Sequence, residues 1–500
     1  MKRKRVLRLF AVLIAVMTSL MIPMTVSADL GYSYNYDWWE DIQYSPDPYE
    51  VVGVYSFEDF GLDVNFKSPD SLYIIDNTLY IVDTGNNRIL EVVREENGAL
   101  TLARVIDHVV GVTPSTFNTP MDVCVDVDGY IYITDKGNNR ILKVTKNLRV
   151  VQTFTKPTDN TFDQSLAFLP EKIVVDEVGR VYCIAENVNK GLIKYESNGE
   201  FKGFTGASQV TYDWVDYLWK KLSTKAQRAA MESFVPTEYD NIAMDDEGFI
   251  YACTTNVKAS TLRDGSAKPI RRLNLMGSDI LIRNGNTRVI GDVQWEAGAG
   301  YSDYSLITDV CPLDEGVYVA LDRNRGHIFA YDNQGNMLYA FGGPGGNLDG
   351  HFEKPCSIDN MGHDLFVLDP TYNSITVFTP TEYGRLMFDA IRQYNQGDYI
   401  TSGETWEKVL AMNGNCDLAY IGIGRSLLRQ KKYKEAMEYF ELKFDDDNYY
   451  KAFKQYRKQW VEEHIALIIV VLIVLIVIPL AIGKVKKIKH EIDIADIFRI

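Results

Sequence analysis

The sequence predicts a mainly β fold: a ring of repeated small sheets, then a short α-helical region and one membrane-spanning helix. Three observations carry this. The tract Leu79–Ile89 (LYIVDTGNNRI) recurs at Ile131–Ile141 (IYITDKGNNRI), 52 residues on. Strand-like alternation broken by Asp/Gly turns fills most of residues 49–380, and an uncharged apolar run stands near the C-terminus. A unit repeated at that period cannot bury its own hydrophobic face, so equivalent sheets must stack.

Five hundred residues exceed what one ordinary core organises, so two or more folded units are expected. At the N-terminus, Lys2, Arg3, Lys4, Arg5 and Arg8 precede an apolar run from Leu9 to Ile22, and Val26-Ser27-Ala28 offers a small-residue cleavage site. That is the pattern of a secretory signal peptide over 1–28, with a linker over 29–48 behind it. An uncleaved anchor is the alternative, and either places the following domain outside.

The formal net charge is −16, and losing the basic leader would leave the chain more acidic still. An acidic surface repels phosphate backbones, so no nucleic-acid partner is expected. Six cysteines, at 124, 183, 253, 311, 356 and 416, show no CxxC spacing and no zinc pattern. Cys124, Cys183 and Cys253 interrupt apolar strand runs, which reads as buried thiols, although an even count in an exported chain permits disulfides.

Along the chain, the strand aromatic recurs at Tyr80, Tyr132, Tyr182, Tyr251, Tyr318 and Phe366. Phrases such as Met121–Gly129, Lys172–Gly179 and Asn241–Gly248 read as strand, Asp/Gly hairpin, strand. Phe66-x-x-Pro69, Phe117-x-x-Pro120 and Phe352-x-x-Pro355 mark the joints between units. These residues resemble the NHL repeat family over about residues 49–380. The resemblance implies a β-propeller, and six strand aromatics imply six blades. The third and fourth copies depart from the pattern, since Ala185–Lys190 and Thr254–Asn256 lack its Asp and Arg. Tyr49–Tyr55 precedes the first copy and is expected to be the outer strand that closes the ring on the last blade, leaving no long free edge.

Within the duplicated tract, Asp83, Gly85, Asn87 and Arg88 match Asp135, Gly137, Asn139 and Arg140. The glycines suit a left-handed turn, the asparagines suit side-chain-to-backbone bonding, and each Arg can reach its Asp. A residue repeated once per blade is read as a structural signature; a charged ring that reads a ligand is the alternative.

Two wider spacings are insertions. Over 207–236, Tyr212, Val215, Leu218 and Leu222 recur at helical spacing, and Thr224-x-x-Gln227 forms a capping box. Trp214, Tyr217 and Trp219 crowd this insertion and are the candidate ligand-binding residues, as a sugar-stacking or docking patch; gluing the insertion to the propeller is the competing role. The second insertion, 256–300, reads as outer strands at Arg271–Gly277 and Arg288–Gly291 around a basic loop.

From Arg385 the period becomes helical. Tyr399, Ser402 and Trp406 are followed 34 residues on by Tyr433, Ala436 and Phe440, which looks like two tetratricopeptide repeats over 383–446. Ser402 and Lys443 replace usual small residues and no Pro ends either copy, so a helical stalk is the plainer reading. A juxtamembrane helix over 447–463 leads into the span at 464–483. There Ile465–Ile482 is 18 residues without a charge, about 27 Å of helix. Trp460 precedes it and Lys484, Lys486, Lys487 and Lys489 follow, which puts the tail 484–500 in the cytoplasm.

No G-x-S-x-G, H-E-x-x-H or phosphate loop occurs, and the external histidines (His108, His327, His351, His363, His464) form no recognisable set. No catalytic residue, metal or cofactor is therefore expected. The expectation is a single-pass protein at the surface of a Gram-positive-type bacterium that binds a protein, peptide or cell-surface glycan. A propeller hydrolase or lyase with a metal in its central channel is the alternative.

Overall fold

The computed structural model describes residues 33–207, 239–285, 287–294, 304–346 and 348–497. The leader (1–28), nearly all of the first insertion, and Trp214, Tyr217 and Trp219 lie outside the described residues.

The described residues open with a hairpin of β1 (Tyr34–Tyr36) and β2 (Ile42–Tyr44), followed by β3 (Tyr49–Tyr55). The first blade is β4 (Ser71–Ile75), β5 (Thr78–Asp83), β6 (Arg88–Arg94) and β7 (Leu100–Ile106). The second is β8 (Pro120–Val125), β9 (Ile131–Asp135), β10 (Arg140–Val144) and β11 (Val150–Phe154). The third is β12 (Pro170–Val175), β13 (Val181–Ala185), β14 (Leu192–Tyr195) and β15 (Phe201–Thr205). A three-stranded sheet follows: β16 (Asn241–Met244), β17 (Ile250–Cys253) and β18 (Ile270–Leu273), with α1 (Ala259–Arg263) between the last two. Next come β19 (Ile307–Pro312), β20 (Tyr318–Asp322), β21 (His327–Tyr331) and β22 (Met337–Pro344), with β23 (His351–Phe352) parallel to β22. The last sheet is β24 (Ser357–Met361), β25 (Asp364–Asp369) and β26 (Ser374–Pro380).

Neighbouring strands within each sheet are antiparallel, apart from the β22–β23 pair, and the first strand of each is innermost. The inner strands touch in the order β4, β8, β12, β16, β19, β24 and back to β4, which closes the ring. β3 pairs with β26, from Ile375↔Tyr55 to Pro380↔Tyr49, so the N-terminal strand completes the last blade as expected. Five sheets thus contain a complete four-stranded blade, not the expected six. The shortfall is at β16–β18. After β18 the chain turns at Asn274–Gly277 and makes one bridge, Leu273↔Asp279. The Asp279 carboxylate then takes the Leu281 N–H (3.1 Å) and pairs with Arg283 (3.1 Å), ending the ladder where a fourth strand would run. Arg288–Gly291, expected as an outer strand, is irregular.

The stretch read as a linker, 29–48, carries the β1–β2 hairpin, which extends the β19–β22 sheet, the fifth blade when the three-stranded sheet is counted as the fourth, beyond β22 through Tyr34↔Ala340. Its Tyr34 and Tyr36 are buried among Tyr251, Tyr318, Phe329 and Tyr331. All six cysteines are free thiols and five are buried.

The described chain divides into two compact units. The first comprises the propeller, the first turns of α2 (Glu382–Asn395) and residues 412–416. The second holds the end of α2, most of α3 (Tyr399–Met412), then α4 (Asp417–Arg429), α5 (Tyr433–Leu442) and α6 (Asp446–Ile497). Ile421, Ala436, Phe440 and Ala452 pack its core. α6 is long and apolar enough to cross a membrane, and its apolar window is wholly exposed.

Candidate functional site

The duplicated tract forms the same turn twice. Asp83 is fully buried; its Oδ1 accepts the Lys67 N–H (2.8 Å), and its Oδ2 accepts Arg88 Nε (2.7 Å) and Asn86 Nδ2 (2.8 Å). Asp135 repeats this with Asn118 N–H (2.8 Å), Arg140 Nε (2.8 Å) and Asn138 Nδ2 (2.9 Å). Each guanidinium continues to a carbonyl of the preceding inter-blade segment, Val64 (2.8 Å) or Pro114 (2.7 Å). The signature residues therefore staple a turn to the joint before it. The left-handed positions are Asn87 and Asn139, both at φ 55°, not the glycines. Gly85 and Gly137 are required by proximity: a Cβ on Gly85 would stand 2.5 Å from the Lys67 carbonyl oxygen.

Around the axis, the inner strands present one polar residue each at equivalent register: Ser71, Asp122, Lys172, Asn241, Asp309 and Ser357, all buried. All but Lys172 help line a central cavity of about 230 Å³. An innermost strand has no ladder partner on its axial side, so its N–H groups need other acceptors. Asp122 accepts from Ser71 Oγ (2.6 Å) on one neighbour and Ile173 N–H (2.8 Å) on the other. Asp309 accepts from Ser357 Oγ (3.0 Å) and Ile358 N–H (2.8 Å). Across the seam, Leu72 N–H donates to Ser357 Oγ (3.1 Å) and Ile74 N–H to Asp359 (2.5 Å). Lys172 reaches over to Asp70 (2.8 Å). Burial pushes the Asp309 and Asp359 carboxyls up to about 7 and raises Asp122 as well. Burial works against the Lys172 ammonium, but Asp70 and Asp122 hold it above its ordinary value.

The β20–β21 turn is different. By register Asp322 matches Asp83, Arg325 takes the place of Asn86, Gly326 (φ 66°) that of Asn87, and His327 that of Arg88. Asp322 Oδ1 accepts the N–H groups of Leu306 (2.9 Å) and Asn324 (2.8 Å). Its fully buried Oδ2 has no hydrogen bond, because the side chains that serve it elsewhere turn to Asp292 instead. Asp292 Oδ2 takes Arg325 Nη1 (2.8 Å) and His327 Nδ1 (3.0 Å), and Oδ1 takes the hydroxyls of Tyr34 and Tyr36. Burial raises the Asp322 carboxyl and the Asp292 charge adds to it, outweighing the Ser305 hydroxyl, the Leu306 N–H and His327, which lower it. For Asp292, burial is outweighed by His327, Arg325 and Tyr34, which hold it below the usual carboxylate range. No sequence motif announced this cluster: Asp292 lies in an irregular loop, and His327 was only one of five external histidines. The available signal was the register of Asp322-Arg323-Asn324-Arg325-Gly326-His327 on the duplicated tract.

Residues 117–144 match the family model of the NHL repeat. They span the second blade from its leading Phe117 through β10. Solved structures with a similar arrangement include a catalytically inactive virginiamycin B lyase from Staphylococcus aureus with quinupristin, at 13% identity over 66% of this chain and 87% of that one, with a TM-score of 0.39. A gluconolactonase from Xanthomonas campestris is 10% identical over 67% and 96% of the two chains, with a TM-score of 0.37. A protein of unknown function from Bacteroides thetaiotaomicron is 11% identical over 70% and 76%, with a TM-score of 0.40. Comparison with curated proteins gives no match.

Proposed function

We propose that the chain is a membrane-anchored, extracellular binding or scaffold protein. Its propeller would recruit a protein, peptide or surface glycan, and α6 would hold it in the cell membrane with the lysine-flanked end inside. The observation that carries this reading is the use made of the channel acids. Asp122, Asp309 and Asp359 accept hydrogen bonds that tie one blade to the next. The channel acids thus have a structural task, closing the ring, which a binding scaffold accounts for without any catalytic role. Supporting the anchor, α6 contains an uncharged run flanked by Trp460 and a lysine cluster. The tetratricopeptide-like pairing of α2–α5 would then serve as a stalk or a second docking surface.

The test is capture from the native envelope. The full chain, crosslinked in its own cells and purified in detergent, should retain one protein or glycan at constant stoichiometry. Retention of nothing beyond bulk lipid, together with turnover of a lactone or sugar acid by the purified chain, would replace this reading with the enzymatic one.

A further inference from the structure

The geometry points to a divalent-cation site of the Zn²⁺ or Mn²⁺ type at the fifth-blade turn, held by Asp322, Asp292 and His327. The site is distinct from the central channel, standing one strand out from channel-lining β19. It also does not depend on the binding role proposed above.

Two independent observations converge. First, a carboxylate oxygen of Asp322, of Asp292 and a ring nitrogen of His327 all lie within 4.8 Å of one another, and the three residues are buried. Second, Asp322 Oδ2 is buried without a hydrogen bond, although its counterparts in Asp83 and Asp135 each take two donors. A buried carboxylate oxygen is not normally left in that condition. The repeat shows how it arose. The Asn and Arg that serve this oxygen in the first two blades are Arg325 and His327 here, and both are drawn to Asp292.

The donor geometry fits an ion. His327 Nδ1 and Asp292 Oδ2 are 3.0 Å apart. Two ligands at roughly 2.1 Å from one ion are about 3.0 Å apart at an octahedral 90° and about 3.4 Å apart at a tetrahedral 109°, so this contact is close to one edge of a coordination polyhedron and need open only slightly to suit Zn²⁺. An ion there replaces the proton between the two atoms, and Asp322 Oδ2 supplies a third bond. Arg325 keeps its bond to Asp292, since a carboxylate oxygen has a second lone pair. Two carboxylates against one guanidinium leave a net negative charge for a cation to offset. An imidazole among the ligands favours Zn²⁺ or Mn²⁺ over Ca²⁺ or Mg²⁺, which prefer all-oxygen shells. Tyr34 and Tyr36 hold the outer oxygen of Asp292, so the ion would also fix the N-terminal hairpin against the fifth blade.

The experiment uses the untagged full chain in detergent, stripped with chelator and titrated separately with Zn²⁺, Mn²⁺, Ca²⁺ and Mg²⁺. One equivalent of Zn²⁺ or Mn²⁺ should survive gel filtration and raise the unfolding temperature, and Co²⁺ in its place should give visible bands. Asp322→Asn keeps the Oδ1 acceptor, and His327→Gln keeps a polar group; each should weaken binding by about tenfold or more and abolish the Co²⁺ spectrum. His351→Gln should change neither. Should Asp322→Asn fail to fold, His327→Gln decides. The site is refuted if the folded chain retains no ion, if Ca²⁺ or Mg²⁺ binds in preference, or if both variants bind as the parent does.

Discussion

At the scale of single residues, the duplicated tract shows what sequence can and cannot locate. The Asp–Arg pairing was legible because its spacing is identical in both copies and opposite charges five residues apart meet across a tight turn. The role of glycine was not. Gly normally signals a left-handed backbone, but here Asn87 and Asn139 adopt it, and Gly85 is needed because the Lys67 carbonyl presses on its Cα. That constraint comes from the preceding joint, which no local pattern encodes. Gly85→Ala should therefore destabilise the protein by forcing Lys67 away from Asp83, by about 1–3 kcal/mol. Arg140→Ala should cost more, about 3–5 kcal/mol, since it strips the fully buried Asp135 of its cation. Arg88→Ala should cost less than Arg140→Ala, because the Arg88 side chain is 13% exposed against 6%. Urea unfolding of the three variants, compared at equal slope, checks the order.

At the scale of elements, the inner strands explain why the channel is acidic. An interior strand of a sheet satisfies both edges by pairing, whereas β4, β12 and β24 turn one edge to the axis and take side-chain acceptors from a neighbour. None of this was legible beforehand: Asp122 and Asp309 fall at positions that read simply as the polar member of an alternation. The arrangement has a pH consequence. Asp309 and Asp359 titrate near 7 when folded, against about 4 unfolded, so the folded chain binds more protons over that interval. Their contribution to stability is full below pH 4, falls as pH rises, and is gone above pH 7. Asp309→Asn cannot titrate. The parent should thus gain stability relative to the variant as pH is lowered from 8 to 5.5, which melting curves across that range would show. A gap constant with pH would mean that Asp309 is ionised throughout.

At the scale of the molecule, the ring is closed by pairing a strand that precedes the first blade with the last strand of the last blade. β3 adds to β26 over six register pairs, and the hairpin before it buries Tyr34 and Tyr36 against the fifth-blade sheet. The closing strand was legible because an orphan strand preceded the first repeat and a free edge had to be covered. The hairpin was not, since two three-residue strands rich in tyrosine carry no period. The fourth sheet also resisted reading, because an ion-paired Asp279 rather than a Gly or Pro ends its ladder. Closure of this kind makes the whole ring depend on its first residues. Deleting residues 33–55 would expose the edge of β26 and remove Tyr34 and Tyr49, each buried to 2% or less exposure. At about 1.5–3 kcal/mol for each large buried side chain, the loss is at least about 3–6 kcal/mol. Calorimetry should find the melting temperature of the propeller lowered by at least about 6 °C. A truncated chain that melts as the parent does would show that the remaining strands close the ring unaided, and β3 would then be an ornament on the last blade rather than its clasp.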